Sequence, residues 1–182
     1  MTRIAAGLGC TLALAVATAA AQTDNWKEYV YANDRFAMSA PAEPTVTTQP
    51  IYVVGGTSDA HIYTIAAGPD TAYMLFIFER SRRDRRSTAQ LRDQARQWAL
   101  DSVNGNLRGE TEITLGKFRG AELEFDAQHP DLDDKTHQVR TRYYVVGRRI
   151  YNLIAIAPID EPFPADAERW LNGFRLTDNA AQ

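Results

Sequence analysis

Two stretches of this chain gather side chains that could do chemistry. His129-Pro130-Asp131-Leu132-Asp133-Asp134-Lys135-Thr136-His137 brings two imidazoles and three carboxylates into nine residues. Imidazole with carboxylate suits zinc or a related transition ion, and carboxylates alone suit calcium. His129, Asp131, Asp133, Asp134 and His137 therefore form a candidate metal set, and a metal ion is the one cofactor the sequence suggests. Their spacing corresponds to no established ligand motif, and a proline with three aspartates is also the composition of a solvated hairpin loop. His61 joins this set only if folding happens to bring it there.

The second stretch is Arg80-Ser81-Arg82-Arg83-Asp84-Arg85-Arg86, which places five arginines just ahead of a helix start. Guanidinium forks bind phosphate and carboxylate bidentately, and the free N–H groups of a helix N-terminus also attract anions. Arg80, Arg82, Arg83, Arg85 and Arg86 are thus a candidate site for an anion or an acidic partner: lipid phosphate, an anionic envelope polymer or an acidic protein surface. The competing reading is a charge run that water simply solvates.

Catalysis has less support. Ser58 and Ser81 sit in no nucleophile-elbow motif and no base is marked for either, so a hydrolase is only a third reading. Gly55-Gly56 and Gly116 are turn glycines and form no phosphate loop. Glu122 and Glu124 stand two apart on a strand pattern and share one face, as a solvent-facing stripe does more often than an acid/base pair. Tyr143, Tyr144 and Tyr151 could line a pocket, although aromatic pairs across a hairpin usually pack. No catalytic residue is assigned.

The N-terminus indicates where the protein works. Met1-Thr2-Arg3 is a short basic start, Ile4 to Ala19 is apolar and alanine-rich, and Ala19-Ala20-Ala21-Gln22 offers small residues for cleavage. Together they predict an export signal over residues 1–21, ahead of a single domain over 22–182, placed in a periplasm or secreted. Roughly 160 residues remain, enough for one real core. The one cysteine, Cys10, lies in the leader, so burial must hold the exported part together without disulfides, and thiol chemistry is excluded. Arg3 is the only charged residue in the leader, so its removal takes the net charge from −3 to about −4, too acidic for a general nucleic-acid binder. After Ala21 no apolar run reaches the roughly 20 residues of a membrane helix.

The elements that must position these residues are mostly hairpins. Strand patterns run over Trp26–Tyr31, Arg35–Ser39, Thr45–Val54, Ala60–Ala67, Thr71–Glu79, Glu110–Leu115, Phe118–Phe125, Thr136–Val146 and Arg149–Ala157, divided by turn residues. Thr71–Glu79, Thr136–Val146 and Arg149–Ala157 are apolar on both faces, which predicts central strands covered on both sides, with Phe76 and Ile154 in the core. Ser87 to Asn104 reads as a helix, with a Ser87/Gln90 capping box and an Asn104-Gly105 stop. Leu91, Ala95 and Trp98 lie on its inward stripe. A second helix begins at Pro164 and stops at Gly173, and Phe174-Arg175-Leu176 returns as a short edge. The expected fold class is α+β, a mainly antiparallel sheet with a helix on each face.

Arg35-Phe36-Ala37-Met38-Ser39-Ala40-Pro41, Gly120-Ala121-Glu122-Leu123-Glu124, Arg142-Tyr143-Tyr144-Val145-Val146-Gly147-Arg148-Arg149-Ile150-Tyr151 and the Trp170 to Leu176 ending occur in an order that resembles the PsbP-like family. That family of α/β/α sandwiches is named for an extrinsic subunit of photosystem II and includes many exported bacterial proteins of unknown function. The resemblance spans most of the exported chain and implies the fold. It also implies binding or assembly more than catalysis, and it carries over no site residue. The expectation is a non-catalytic exported domain that binds an anionic envelope component or a protein partner. The alternatives are a metal-binding protein using the His129–His137 loop and a hydrolase of unknown substrate.

Overall fold

The computed structural model describes residues 25–68, 70–101, 103–128 and 135–177. The expected leader lies outside them. The elements in chain order are β1 (Lys27–Tyr31), β2 (Phe36–Ala40), β3 (Thr45–Val53), β4 (Gly56–Ala66), β5 (Ala72–Glu79), α1 (Thr88–Asp101), β6 (Asn106–Leu115), β7 (Phe118–Gln128), β8 (Thr136–Val146), β9 (Arg149–Pro158), α2 (Ala165–Asn172) and β10 (Arg175–Leu176). Seven strands form one sheet in the order β3-β4-β5-β9-β8-β7-β6, and every pairing in it is antiparallel. The β3–β5 and β6–β9 meanders are thereby joined where β5 pairs with β9. Tight turns fold both arms: Gly116 and Gly147 take φ of 59° and 62°, the left-handed backbone that a glycine supplies at the first position of a two-residue hairpin loop.

The expected α+β sandwich is present, with an addition. A small second sheet, β1-β2-β10, packs with α2 over one face of the large sheet. Between them lies the main core. Tyr73, Leu75, Tyr151, Leu153 and Ala155 from the large sheet meet Phe36 and Met38 of β2 and Trp170 and Leu171 of α2, all essentially solvent-free. Trp170 stacks on Tyr73 with ring centroids 5.2 Å apart, and Phe36 lies within 5.6 Å of Phe174.

Helix α1 covers the opposite face only in part. Its cap is the predicted box: Ser87 N–H donates to Gln90 Oε1 at 2.9 Å and Gln90 N–H to Ser87 Oγ at 3.3 Å. At the far end Asn104 takes φ 47° and Gly105 N–H closes on the Leu100 carbonyl at 2.7 Å. The helix packs mainly on β7 and β8, leaving the sheet beyond β9 open. Phe76 and Ile154 are accordingly only half-buried, whereas their neighbours on the main-core face, Leu75 and Leu153, are sealed. Trp98 is also turned outward, at 56% exposure, and the helix buries Leu91 and Ala99 instead. Both departures from the sequence pattern have one cause: the helix is narrower than the sheet face it lies on.

Candidate functional site

The strip of sheet running out from under α1 toward β3 is the floor of a cleft of about 530 Å³. Phe76 and Phe78 of β5, Ile150 of β9 and Tyr143 of β8 form that floor. Leu91, Ala95 and Trp98 of α1 make one wall, and Ile51, Val53 and Val54 beside the β3–β4 turn make the other. Tyr52, also lining it, is 95% exposed, so two large aromatic side chains stand in water at its mouth. Burial pushes the Tyr143 hydroxyl up to about 12.

Arg80 and Arg86 stand at the cleft's edge and belong to the arginine run. The run is a built loop. Asp84 is buried within it, and Arg86 grips that carboxylate with Nε at 2.8 Å and Nη2 at 2.5 Å while its own backbone N–H donates at 3.1 Å. Arg86 also donates to Gln94 of α1. Arg80 Nη1 donates to the Arg86 carbonyl at 3.1 Å, and Arg80 N–H donates to the Arg148 carbonyl at 2.9 Å. The Arg148 guanidinium returns two bonds to the Arg80 carbonyl, pinning the loop to the β8–β9 turn. Among the described residues, Arg80 Nε is buried without a hydrogen-bond partner.

The five arginines therefore divide. Arg86 neutralises Asp84 and Arg80 braces the loop, whereas Arg82, Arg83 and Arg85 are exposed. Arg82 and Arg83, with Arg80, Arg148 and the carboxylate of Glu79, line a second hollow of about 520 Å³ against the β3–β4 turn. That turn touches the loop closely, since a Cβ placed on Gly55 would lie 3.4 Å from Ser81 Oγ and 3.5 Å from Arg83 Cδ. The basic hollow and the apolar cleft share Val53 and Arg80, so they are adjoining compartments.

Asp84 ties this loop to pH. The Arg86 hydrogen bonds hold its carboxyl at about 2, below the ordinary 3.8. A depressed folded-state value means that Asp84 stabilises the fold above pH 3.8 and that this contribution fades as pH falls through about 2. Replacing Arg86 with Gln should cost about 1.5–3 kcal/mol at neutral pH, the range for hydrogen bonds to a charged group, and should erase that acid-side component. Denaturant unfolding of both proteins from pH 2 to 7 measures it; parallel pH profiles would contradict the role given to Asp84.

Of the candidate metal set, His129, Asp131, Asp133 and Asp134 lie outside the described residues. His137 is buried in β8, with Nδ1 3.2 Å from the Lys135 carbonyl. His61 serves elsewhere: its Nδ1 is 2.7 Å from Asp34 Oδ2, which also accepts from Tyr63, while Tyr151 Oη donates to the Asp34 carbonyl at 2.8 Å. This cluster fastens the β1–β2 turn onto the large sheet. Strand alternation puts His61 and Ser58 on opposite faces of β4, and Ser81 Oγ accepts the Arg83 N–H at 3.1 Å. Glu122 and Glu124 are paired with Arg142 at 2.5 Å and Arg140 at 3.0 Å, a charged stripe as the sequence suggests. Sequence reading passed over Asp84 as the counter-ion inside the run and Asp34 as a buried acceptor. The lone acid two residues before Arg86 was the available signal.

No protein-family model matches the chain, and no curated protein does. Among solved structures, cyanobacterial PsbP (CyanoP) from Synechocystis sp. PCC 6803 matches with a TM-score of 0.56 at 10% identity, over 93% of this chain and 98% of that one. The chain thus has the PsbP-like fold. A protein of unknown function from Pseudomonas aeruginosa, PA94, matches with a TM-score of 0.43 at 10% identity, over 79% of this chain and 87% of that one. Among the described residues no helix is long and apolar enough to cross a membrane.

Proposed function

We propose that this chain is an exported, non-catalytic domain that binds an anionic component of the cell envelope through its arginine loop. The observation that carries the reading is the division of labour in that loop. One guanidinium is spent on the internal carboxylate, while Arg82, Arg83 and Arg85 remain exposed and form no ion pair among the described residues. Positive charge ahead of a helix N-terminus opposes the macrodipole, so helix stability does not account for it. The loop's pinning to Arg148 and to α1 holds these charges on a rigid base, which lowers the ordering cost of binding.

The test spares Arg80 and Arg86, which hold the loop together. An Arg82→Gln, Arg83→Gln, Arg85→Gln variant should fold as wild type by circular dichroism. A basic residue near an anionic surface contributes about 1 kcal/mol, so the variant should bind phosphatidylglycerol-containing vesicles about 100-fold more weakly. Wild-type binding should also weaken from low to physiological salt, where the screening length is about 8 Å. Equal binding by both proteins would leave the run as a solvated loop.

A further inference from the structure

We propose that the ligand of this site is a single-chain amphiphile with an anionic headgroup. Its hydrocarbon chain lies in the cleft between α1 and the β3–β4 hairpin, and its headgroup sits in the adjoining basic hollow. The proposal rests on the reading of the arginine loop as an anion site and adds the chemistry of what the anion is attached to.

Three observations converge on an amphiphile. The cleft, at about 530 Å³, falls within the range of about 300–1,000 Å³ that small-molecule sites occupy, and its floor and walls are predominantly aliphatic and aromatic. Phe76 and Phe78 stay half-buried on an interior strand that a wider helix would have sealed. The charged side chains lining the compartment that adjoins this apolar space are Arg80, Arg82, Arg83 and Arg148 with one carboxylate, Glu79, which pairs with Arg148 at 3.6 Å, so positive charge is in surplus there. An apolar solute without charge would leave the basic hollow unused, and a free anion would leave the cleft unused. One cleft leads to one hollow, which suits one chain per headgroup.

Calorimetric titration of the purified protein with dodecyl phosphate and dodecyltrimethylammonium, each below its micelle concentration, and with inorganic phosphate tests this. Dodecyl phosphate should bind at least tenfold more tightly than either of the others. Each methylene added between octyl and dodecyl phosphate should tighten binding about fourfold, the value of a buried CH₂. Ala95→Trp fills the cleft without touching an arginine and should abolish the chain-length dependence. Ile51→Trp fills it from the opposite wall and serves if the first variant does not fold. Equal affinity for dodecyl phosphate and inorganic phosphate would overturn the chain assignment while leaving the anion reading intact. Equal affinity for the two dodecyl compounds would overturn the headgroup assignment and the anion reading with it. Absence of binding by all three would overturn the proposal, and the vesicle assay would then judge the anion reading alone.

Discussion

Replacing Trp170 with Ala should destabilise the protein by about 3–5 kcal/mol, the range for removing a fully buried large aromatic side chain. Trp170 is 0% exposed and is the largest sealed side chain in the core. It is the point at which α2 reaches the large sheet, stacked on Tyr73 and neighboured by Leu171 and Ala167. With most domains stable by only about 5–15 kcal/mol, a loss of that size puts a large fraction of the folding free energy at stake. Trp170→Phe should cost far less. It keeps a ring against Tyr73, and it removes an indole N–H that is buried without a partner among the described residues, so no hydrogen bond seen there is lost with it. Denaturant unfolding of the two variants decides the matter: a loss below about 1 kcal/mol for the alanine variant would place α2 outside the cooperative core.

Gly120→Ala should also be clearly destabilising, although it adds only a methyl group. Gly120 pairs with Tyr144 of β8 and Ile113 of β6, in the interior of the large sheet. A Cβ there would lie 2.4 Å from the Tyr143 carbonyl oxygen and 2.6 Å from Tyr144 Cδ1. The carbonyl is backbone and cannot swing away as a flexible side chain would, so strands β7 and β8 must move apart. Overpacking of this kind costs about 1–3 kcal/mol. Gly109→Ala on β6 is the matched control. Its Cβ would approach nothing nearer than 4.0 Å, so the change should be close to neutral. Equal effects at the two positions would mean that the steric account of Gly120 is wrong.

Much of the fold could be read from local chemistry because its devices are local. The Ser87/Gln90 box, the Asn104-Gly105 stop and the glycines at 116 and 147 each act over two to four residues, and each is found where the pattern put it. Strand β6 starts earlier than its pattern, at Asn106, because a bulge between Leu107 and Gly109 interrupts the alternation that marks a strand. The cleft was not readable in the same way. Phe76 and Phe78 have the alternation of a strand covered on both faces, and alternation reports that a face is apolar without reporting what lies over it. Only the lateral placement of α1 over β7 and β8, a long-range property, separates a covered phenylalanine from one that floors a cleft. Trp98 follows the same logic, since its place on the helical stripe was correct while the sheet beneath that part of the stripe was left open. The arginine run was legible as charge. Its internal order was not, because the burial of Asp84 depends on Gln94 of α1 and the β8–β9 turn closing around the loop.

An anionic amphiphile in the cleft beside the arginine loop should be visible in the indole N–H resonances of the three tryptophans. Trp98 lines the cleft at 56% exposure, Trp170 is sealed in the opposite core, and Trp26 packs under Arg169, with its ring centroid 4.4 Å from that guanidinium. Titration with dodecyl phosphate should shift the Trp98 resonance progressively and saturably while those of Trp170 and Trp26 stay in place, and Ala95→Trp should remove the Trp98 shift. A saturating titration in which Trp98 does not move would place the ligand elsewhere and rule out the cleft as its site.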